Sequence, residues 1–143
     1  MQQRHIVKWQ HFKRVPSWVL PYKYRRWVLD SGSLTKRLID ASQGEFEVRV
    51  TFQGWAVPDI KEARVLGISV RQKALVREVE LLCYGDVWVR ARSIIPLATL
   101  TGKEQQLKTL GNRPLGAFLF SSRAMKRSGL EVASFQAGAK ETI

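Results

Sequence analysis

The sequence has little cysteine and little histidine, and this scarcity limits the chemistry that it can carry. Its single cysteine, Cys83, excludes an internal disulfide and fits a reducing cytoplasm. Its two histidines, His5 and His11, lie near the N-terminus without the carboxylate or cysteine spacing of metal ligands. We therefore expect no metal site.

Long apolar runs are missing from the sequence as well. No stretch approaches the roughly 18 apolar residues that a membrane-spanning helix needs, and the segment Met1–His5 lacks the apolar core of a secretory signal. An apolar content of 45% with five tryptophans argues against disorder. Because 143 residues can enclose one substantial core, we expect a single cytoplasmic domain over residues 1–143.

Acidic residues are scarce, at 12 against 24 lysines and arginines, which gives a net charge of +12. Such a balance favours nucleic acid, an acidic membrane surface or a small anion as a partner. The densest basic group is interleaved with aromatic residues (Tyr22, Lys23, Tyr24, Arg25, Arg26 and Trp27). It is compatible with phosphate binding and equally with the solvated face of a helix. Since no recognised nucleic-acid-binding motif accompanies it, we expect neither nucleic acid nor a membrane as partner.

The first third of the chain, residues 1–43, is predicted to be mainly helical. Pro16 can occupy a first helical turn, and Pro21 breaks or restarts a helix. Ser33 is a good N-cap for a short helix through Ile39.

The middle of the chain, residues 44–96, is rich in predicted strands. The first has apolar residues on one parity and ends at Gly54 and Pro58 (Phe46, Val48, Val50 and Phe52 alternate with Glu47, Arg49 and Thr51). Strands at residues 75–83 and 87–95, joined by a turn at 84–86, predict an antiparallel hairpin. The pattern leaves the structure of the connection at residues 57–72 open.

The last part of the chain returns to helical patterns. One helix is predicted from Glu104 to Leu110, with Gly111 as its C-terminal cap. Pro114 opens another that runs through Leu115 to Leu119. Because no βαβ rhythm is present, the expected fold class is α+β, a single antiparallel β-sheet with helices packed on one face.

Arg77 lies at an unusual position for an arginine, on the apolar side of a predicted strand. The residues that share its parity are apolar, whereas Glu78 and Glu80 have the opposite parity (the apolar set is Leu75, Val79, Leu81 and Cys83). A buried guanidinium keeps its charge and needs an anionic partner. That partner is either an acidic side chain elsewhere in the protein or the carboxylate of a ligand.

Two predicted helix starts place backbone amides where they can meet an anion. Residues 33–35 and 114–116 each form a helix N-terminus, where free N–H groups and the positive end of the dipole attract a carboxylate. Gly116 has no side chain and would allow close approach. Ordinary capping explains both starts as well, so each is a weak signal by itself.

Several segments resemble the bacterial chorismate pyruvate-lyases, also called 4-hydroxybenzoate synthetases. Residues 33–37 look like the S-M-T-K-R-type segment of that family, and residues 77–83 are similar to its strand R-E-I-L-L-C. The likeness spans residues 27–132 and includes a series of further matches (Gly85, Trp88, Arg92, Pro96, Thr99–Gly102, Leu110–Gly111, Pro114–Gly116 and Leu119–Ser122). An ordered series of matches at similar spacing is far more specific than any one of them.

The resemblance implies a cofactor-free cytoplasmic enzyme, a monomer, that eliminates pyruvate from chorismate to give 4-hydroxybenzoate for ubiquinone biosynthesis. It implies that Arg77 and the backbone amides of Leu34 and Leu115 hold the ring carboxylate in a closed pocket. It also implies that Arg92 is a second catalytic arginine, which meets the pyruvyl carboxylate. Whether Arg92 faces the same way as Arg77 depends on the hairpin register, which the sequence leaves open.

The sequence departs from the family pattern at its C-terminus. The family continues past the position of Ile143 into a further strand pair, whose glutamate binds the hydroxyl end of the substrate and assists the chemistry. Neither Glu131 nor Glu141 matches that glutamate. The resemblance therefore implies a residual or impaired lyase. The alternative is a non-catalytic protein that binds small aromatic carboxylates, as related effector-binding domains of transcription regulators do.

Overall fold

A computed structural model describes residues 9–28, 32–100, 102–113, 115 and 128–134, and only the backbone at residues 102–105. These residues belong to two compact units, one drawn from residues 1–34 and 123–143 and the other from residues 35–122. The single domain expected over residues 1–143 stays a prediction. The predicted helix after Pro114 lies outside the described residues except at Leu115, which is helical.

The described ranges contain short antiparallel strands and short helices. The strands are β1 (Gln10–His11), β2 (Phe46–Ala56), β3 (Ala74–Cys83), β4 (Asp86–Pro96) and β5 (Glu131–Val132). The α-helices are α1 (Tyr22–Val28), α2 (Leu34–Ala41) and α3 (Ile60–Leu66), and 3₁₀ helices cover Phe12–Arg14, Leu97–Thr99 and Gly102–Thr109. None of the helices described is long and apolar enough to cross a membrane.

The first unit combines one strand pair with α1. Strands β1 and β5 pair antiparallel, and Val15, Leu20 and Val132 form a small core beside them. Helix α1 begins directly after Pro21, as predicted, because the Pro21 ring fixes a helix-compatible φ and its carbonyl accepts the amide of Arg25 at 3.2 Å. The Arg25 guanidinium in turn donates to the carbonyl of Val15 at 2.6 Å.

The second unit is built on a three-stranded antiparallel sheet in the order β2-β3-β4. Its β3–β4 hairpin, which the sequence predicted, turns at Tyr84 and Gly85 with φ values of 54° and 82°. Positive φ at both positions matches the twist of the flanking strands. The predicted α+β class with antiparallel strands is confirmed, although the strands in the described ranges form two sheets rather than one.

The two faces of β3 differ in chemistry. The Arg77 face carries Leu75, Arg77, Val79, Leu81 and Cys83, and the Glu78 face carries Val76, Glu78, Glu80 and Leu82. Helix α2 contacts the Arg77 face, where the Leu38 carbonyl accepts the Cys83 thiol at 3.9 Å. Helix α3 reaches the Glu78 face through the Glu62 carboxylate.

Helix α3 fills the connection that the sequence pattern had left open. Asp59 caps its N-terminus by accepting the Glu62 amide at 2.8 Å, and Glu62 accepts the Asp59 amide at 3.1 Å. Gly67 ends the helix in the left-handed conformation, with a φ of 68°. The D-x-x-E spacing followed by glycine was therefore a usable signal.

The alternation of side chains observed in β2 differs from the predicted one. The pairing with β3 passes from Val50 opposite Val79 to Phe52 opposite Glu78, so Thr51 is an extra residue, a β-bulge. Phe52 therefore lies on the Glu78 face and is 43% exposed, contrary to prediction. The strand also continues through Gly54 to Ala56 and ends before Pro58.

The segment after β4 closes the apolar cluster of this unit. Leu75, Ile95, Leu100 and Leu107 are buried together, and Leu115 packs against them. The helix predicted from Glu104 to Leu110 is found as the 3₁₀ helix Gly102–Thr109 rather than as an α-helix. Gly111 follows it with a positive φ of 59°, as expected of a C-terminal glycine.

Candidate functional site

Arg77 is buried, with 3% of its surface exposed, in the middle of the central strand β3. Its Nη1 donates to Oε1 of Gln53 at 2.7 Å, and its Nη2 donates to the backbone carbonyl of Arg113 at 2.9 Å. Its Nε is buried and has no hydrogen-bond partner among the residues that the structure describes. The guanidinium is thus held by two neutral oxygens and keeps donor capacity for another acceptor.

The charge of Arg77 is not balanced by the part of the protein that the structure describes. The ion pairs found there belong to other arginines: Arg49 and Arg90 pair with Glu80, and Arg92 pairs with Glu62 and Glu78. Burial lowers the pKa of the Arg77 guanidinium, yet an arginine stays ionised at neutral pH. Of the two partners that the sequence left open, a ligand carboxylate is the one that this geometry favours.

The polar residues around Arg77 form one row across an apolar sheet face. Gln53 on β2 and Ser93 on β4 are its cross-strand partners. The neighbouring rows on the same face are mostly apolar (Trp55, Leu75 and Ile95 on one side; Val50, Val79 and Ala91 on the other). A ligand with a carboxylate and an apolar ring has complementary chemistry to such a surface.

Leu115 and Leu34, two residues predicted to contact the ligand, both lie in the described part of the fold. The Leu115 side chain packs against the cluster that includes Leu75, one row from Arg77 on the same face of β3. Leu34 is the first residue of α2, as the prediction of a helix start after Ser33 required. The predicted roles of their backbone amides stay predictions.

The structure does not bring Arg92 to the Arg77 face. In the observed register Arg92 lies opposite Glu78, whereas Ser93 lies opposite Arg77, so the two arginines point to opposite faces of the sheet. The Arg92 guanidinium binds Glu62 in a bidentate pair, with Nε–Oε2 and Nη2–Oε1 distances of 2.9 and 3.0 Å, and also contacts Glu78. The predicted meeting of Arg92 with the pyruvyl carboxylate beside Arg77 does not fit this geometry.

Sequence reasoning missed the residues that hold Arg77. Gln53 had no signal, because the plain alternation of β2 placed it on the solvent side, and only the bulge at Thr51 turns it toward Arg77. Arg113 contributes a backbone carbonyl, which no side-chain pattern reveals. Ser93, which is the cross-strand neighbour of Arg77, was predictable only once the hairpin register was known.

Metal ligands do not gather in this site. Across the described ranges, no group of three or more histidine, cysteine, aspartate or glutamate side chains could hold a metal ion. The chemistry available at the Arg77 face is therefore that of a buried cation, neutral hydrogen-bonding groups and an apolar surface.

Comparison with known proteins identifies relatives over most of the chain. The family model described as chorismate lyase matches residues 4–142. A probable chorismate pyruvate-lyase of Methylococcus capsulatus is 49% identical over 75% of this chain and 66% of its own length. Proteins of the same description from Marinobacter nauticus and Coxiella burnetii are 43% and 32% identical, over 75% and 86% of this chain.

The aligned part spans 66% of the Methylococcus and Coxiella proteins and 57% of the Marinobacter protein, that is, just under two thirds or less of their length. The family match nevertheless extends over nearly every residue of the chain. This protein belongs to the chorismate lyase family.

Proposed function

We propose that this protein is a chorismate pyruvate-lyase, which eliminates pyruvate from chorismate to give 4-hydroxybenzoate without a cofactor. The observation that carries the proposal is Arg77, a buried cation held by neutral oxygens on an apolar sheet face. The ring carboxylate of chorismate supplies the anion that Arg77 needs, and the ring covers the apolar rows. The amides of Leu34 and Leu115 are assigned to the same carboxylate by family resemblance.

The chemistry asks little of the protein beyond binding and orientation. The bond between the ring carbon and the ether oxygen breaks, the ring loses a proton, and the departing enolpyruvate anion takes up a proton to become pyruvate. Because the ring becomes aromatic, the elimination is strongly favourable. Fixing the ring carboxylate at Arg77 orients the substrate and places a positive charge near it in a water-poor setting.

A coupled assay tests the proposal directly. The protein is incubated with chorismate, and pyruvate release is followed with lactate dehydrogenase and NADH, while 4-hydroxybenzoate is quantified by chromatography. We expect the two products in equal amounts, at a rate above that of chorismate alone. Equal rates with and without the protein would overturn the proposed activity.

The second candidate is a binding protein for small aromatic carboxylates. It is favoured by the neutrality of the described groups that hold Arg77, namely the Gln53 carboxamide and the Arg113 carbonyl, which suit anion binding but supply no strong general acid. Titration calorimetry with 4-hydroxybenzoate separates the two candidates. Binding without pyruvate release would select the second.

Three finer assignments belong to the same proposal. The product is destined for ubiquinone biosynthesis, the protein acts as a monomer, and it works in the cytoplasm. The cytoplasmic assignment is supported by a free, buried thiol at Cys83. Size-exclusion chromatography with light scattering would contradict the monomer by giving twice the chain mass of 16.4 kDa.

A further inference from the structure

Gln53 reaches Arg77 only because of an irregularity in β2. Strict alternation from Val50 would place Phe52 on the Arg77 face and Gln53 on the opposite one. The bulge at Thr51 reverses this, and the Thr51 hydroxyl donates to the Glu78 carbonyl at 3.2 Å. Bulges commonly re-aim a side chain near a functional site. Here the re-aimed side chain is the one that contacts the buried cation.

Both ends of the Gln53 carboxamide are used. Its Oε1 accepts from Arg77, and its Nε2 donates to the backbone carbonyl of Lys108 at 2.9 Å. A glutamate could not make the second bond while ionised, and an apolar residue could make neither. Glutamine is thus the side chain that links Arg77 to the 3₁₀ helix without changing the net charge.

Arg113 secures the other side of the same guanidinium. Its carbonyl accepts Nη2 of Arg77, while its own side chain donates to the carbonyls of Leu110 and Thr109 at 3.0 and 3.1 Å. The segment from Lys108 to Arg113 is therefore linked to both terminal nitrogens of Arg77. The link to Nη1 runs through Gln53, and the link to Nη2 is direct. Nε, which has no partner within the described ranges, is left for a ligand.

We propose that Gln53 is a positioning residue, which fixes the Arg77 guanidinium with a neutral oxygen and so reserves its charge for the ligand carboxylate. The inference rests on the proposed function, since it assumes that a carboxylate ligand binds at Arg77. An acidic residue at position 53 would hold the guanidinium equally close but would neutralise it. Neutrality at this position therefore sets the preference of the site for an acid over its uncharged amide.

The test compares 4-hydroxybenzoate with 4-hydroxybenzamide in the wild type and in Gln53→Glu. We expect the variant to lose at least about tenfold in affinity for the acid, the scale of one charge-assisted hydrogen bond, and little for the amide. The KM for chorismate should rise more than kcat falls. Gln72→Glu adds the same charge in the turn before β3 and should leave the acid-to-amide ratio unchanged.

Gln53→Met serves as the uncharged variant, because it removes both hydrogen bonds at similar volume. We expect it to lower the acid-to-amide ratio less than Gln53→Glu does, and it decides the question if the glutamate variant fails to fold. An unchanged ratio in the folded variants would overturn the role of Gln53. Absence of acid binding in the wild type would instead overturn the proposed function.

Discussion

At the scale of single residues, the state of Arg77 explains why this site is suited to an anion. An arginine in a buried salt bridge has already exchanged its hydration for a protein carboxylate. Arg77 has lost water but has gained only neutral acceptors in the part of the chain that is described, and burial lowers the pKa of its guanidinium. A ligand carboxylate that reaches it therefore gains a charge-assisted bond with little competition.

Removal of this cation should first of all lower the affinity of the protein for its ligand. We expect Arg77→Ala to weaken 4-hydroxybenzoate binding by at least tenfold, because each charge-assisted hydrogen bond contributes about 1.5–3 kcal/mol. Titration calorimetry on the folded variant measures it. Arg90→Ala is the matched control, since the Arg90 side chain is largely exposed and pairs with Glu80 on the other face. Unchanged affinity in Arg77→Ala would rule out this role.

At the scale of elements, ion pairs fasten α3 to the sheet. Glu62 takes part in the capping box of α3 and also in the bidentate pair with Arg92 on β4. The hydrogen bond from Arg92 is the main cause that holds the pKa of Glu62 below its ordinary value of 4.5. The carboxylates of Glu62 and Glu78 in turn raise the pKa of Arg92. This network lies on the Glu78 face of the sheet, opposite the Arg77 face.

The lowered pKa of Glu62 predicts a loss of stability in acid. A group whose pKa is lower in the folded state stabilises fully above its unfolded pKa, and this contribution is lost as the pH falls through the folded value. We expect the free energy of unfolding of the wild type to exceed that of Glu62→Gln near pH 6, and the gap to shrink below about pH 4.5. Urea titrations at several pH values measure it.

Glutamine suits this comparison because it can keep the capping interaction while removing the charge. Glu47→Gln, on an exposed position of β2, controls for the general effect of removing one negative charge. A gap between wild type and Glu62→Gln that stays constant with pH would contradict the assignment.

The N-terminal cap of α3 gives a second prediction at the scale of elements. We expect Asp59→Ala to lower the free energy of unfolding by about 1 kcal/mol, because it leaves the Glu62 amide without its side-chain acceptor. Chemical denaturation of the purified variant measures this. Lys61→Ala, at an exposed position of the same helix, should change stability by less than about 0.5 kcal/mol. Equal effects of the two substitutions would argue against the cap.

At the scale of the whole molecule, the net charge of +12 acts on any anionic ligand. Chorismate, the proposed substrate, has two carboxylates, and a positive field would raise its local concentration and its rate of association. The ion pairs of the Glu78 face neutralise part of that field locally. The remaining basic groups give the protein an electrostatic preference for acids that does not depend on one side chain.

This field predicts a dependence on salt. Raising the ionic strength from about 10 mM to about 100 mM shortens the screening length from about 30 Å to about 10 Å. We therefore expect the affinity for 4-hydroxybenzoate to fall, while that for uncharged 4-hydroxybenzamide stays nearly constant. Calorimetry at both salt concentrations decides this, and parallel changes for the two ligands would contradict it.

Residues close together in the sequence determined much of the secondary structure of this protein. Alternating residues defined β3, the turn at Tyr84 and Gly85 defined the hairpin, and Pro21 marked the start of α1. The parity of Arg77 within β3 predicted its burial, which is confirmed, although Val76 and Leu82 of the opposite parity are buried as well. These features depend on residues close together in the chain, so the sequence carries them directly.

The partners of Arg77 were decided only in the tertiary structure. A one-residue bulge at Thr51 exchanges the faces of Phe52 and Gln53, and no composition rule marks its position. The hairpin register sends Arg92 to the Glu78 face, although either facing was compatible with the sequence. The Arg113 carbonyl is a backbone group brought in from 36 residues away. Because side chains alternate with a period of two, a shift of one residue decides what a buried charge meets.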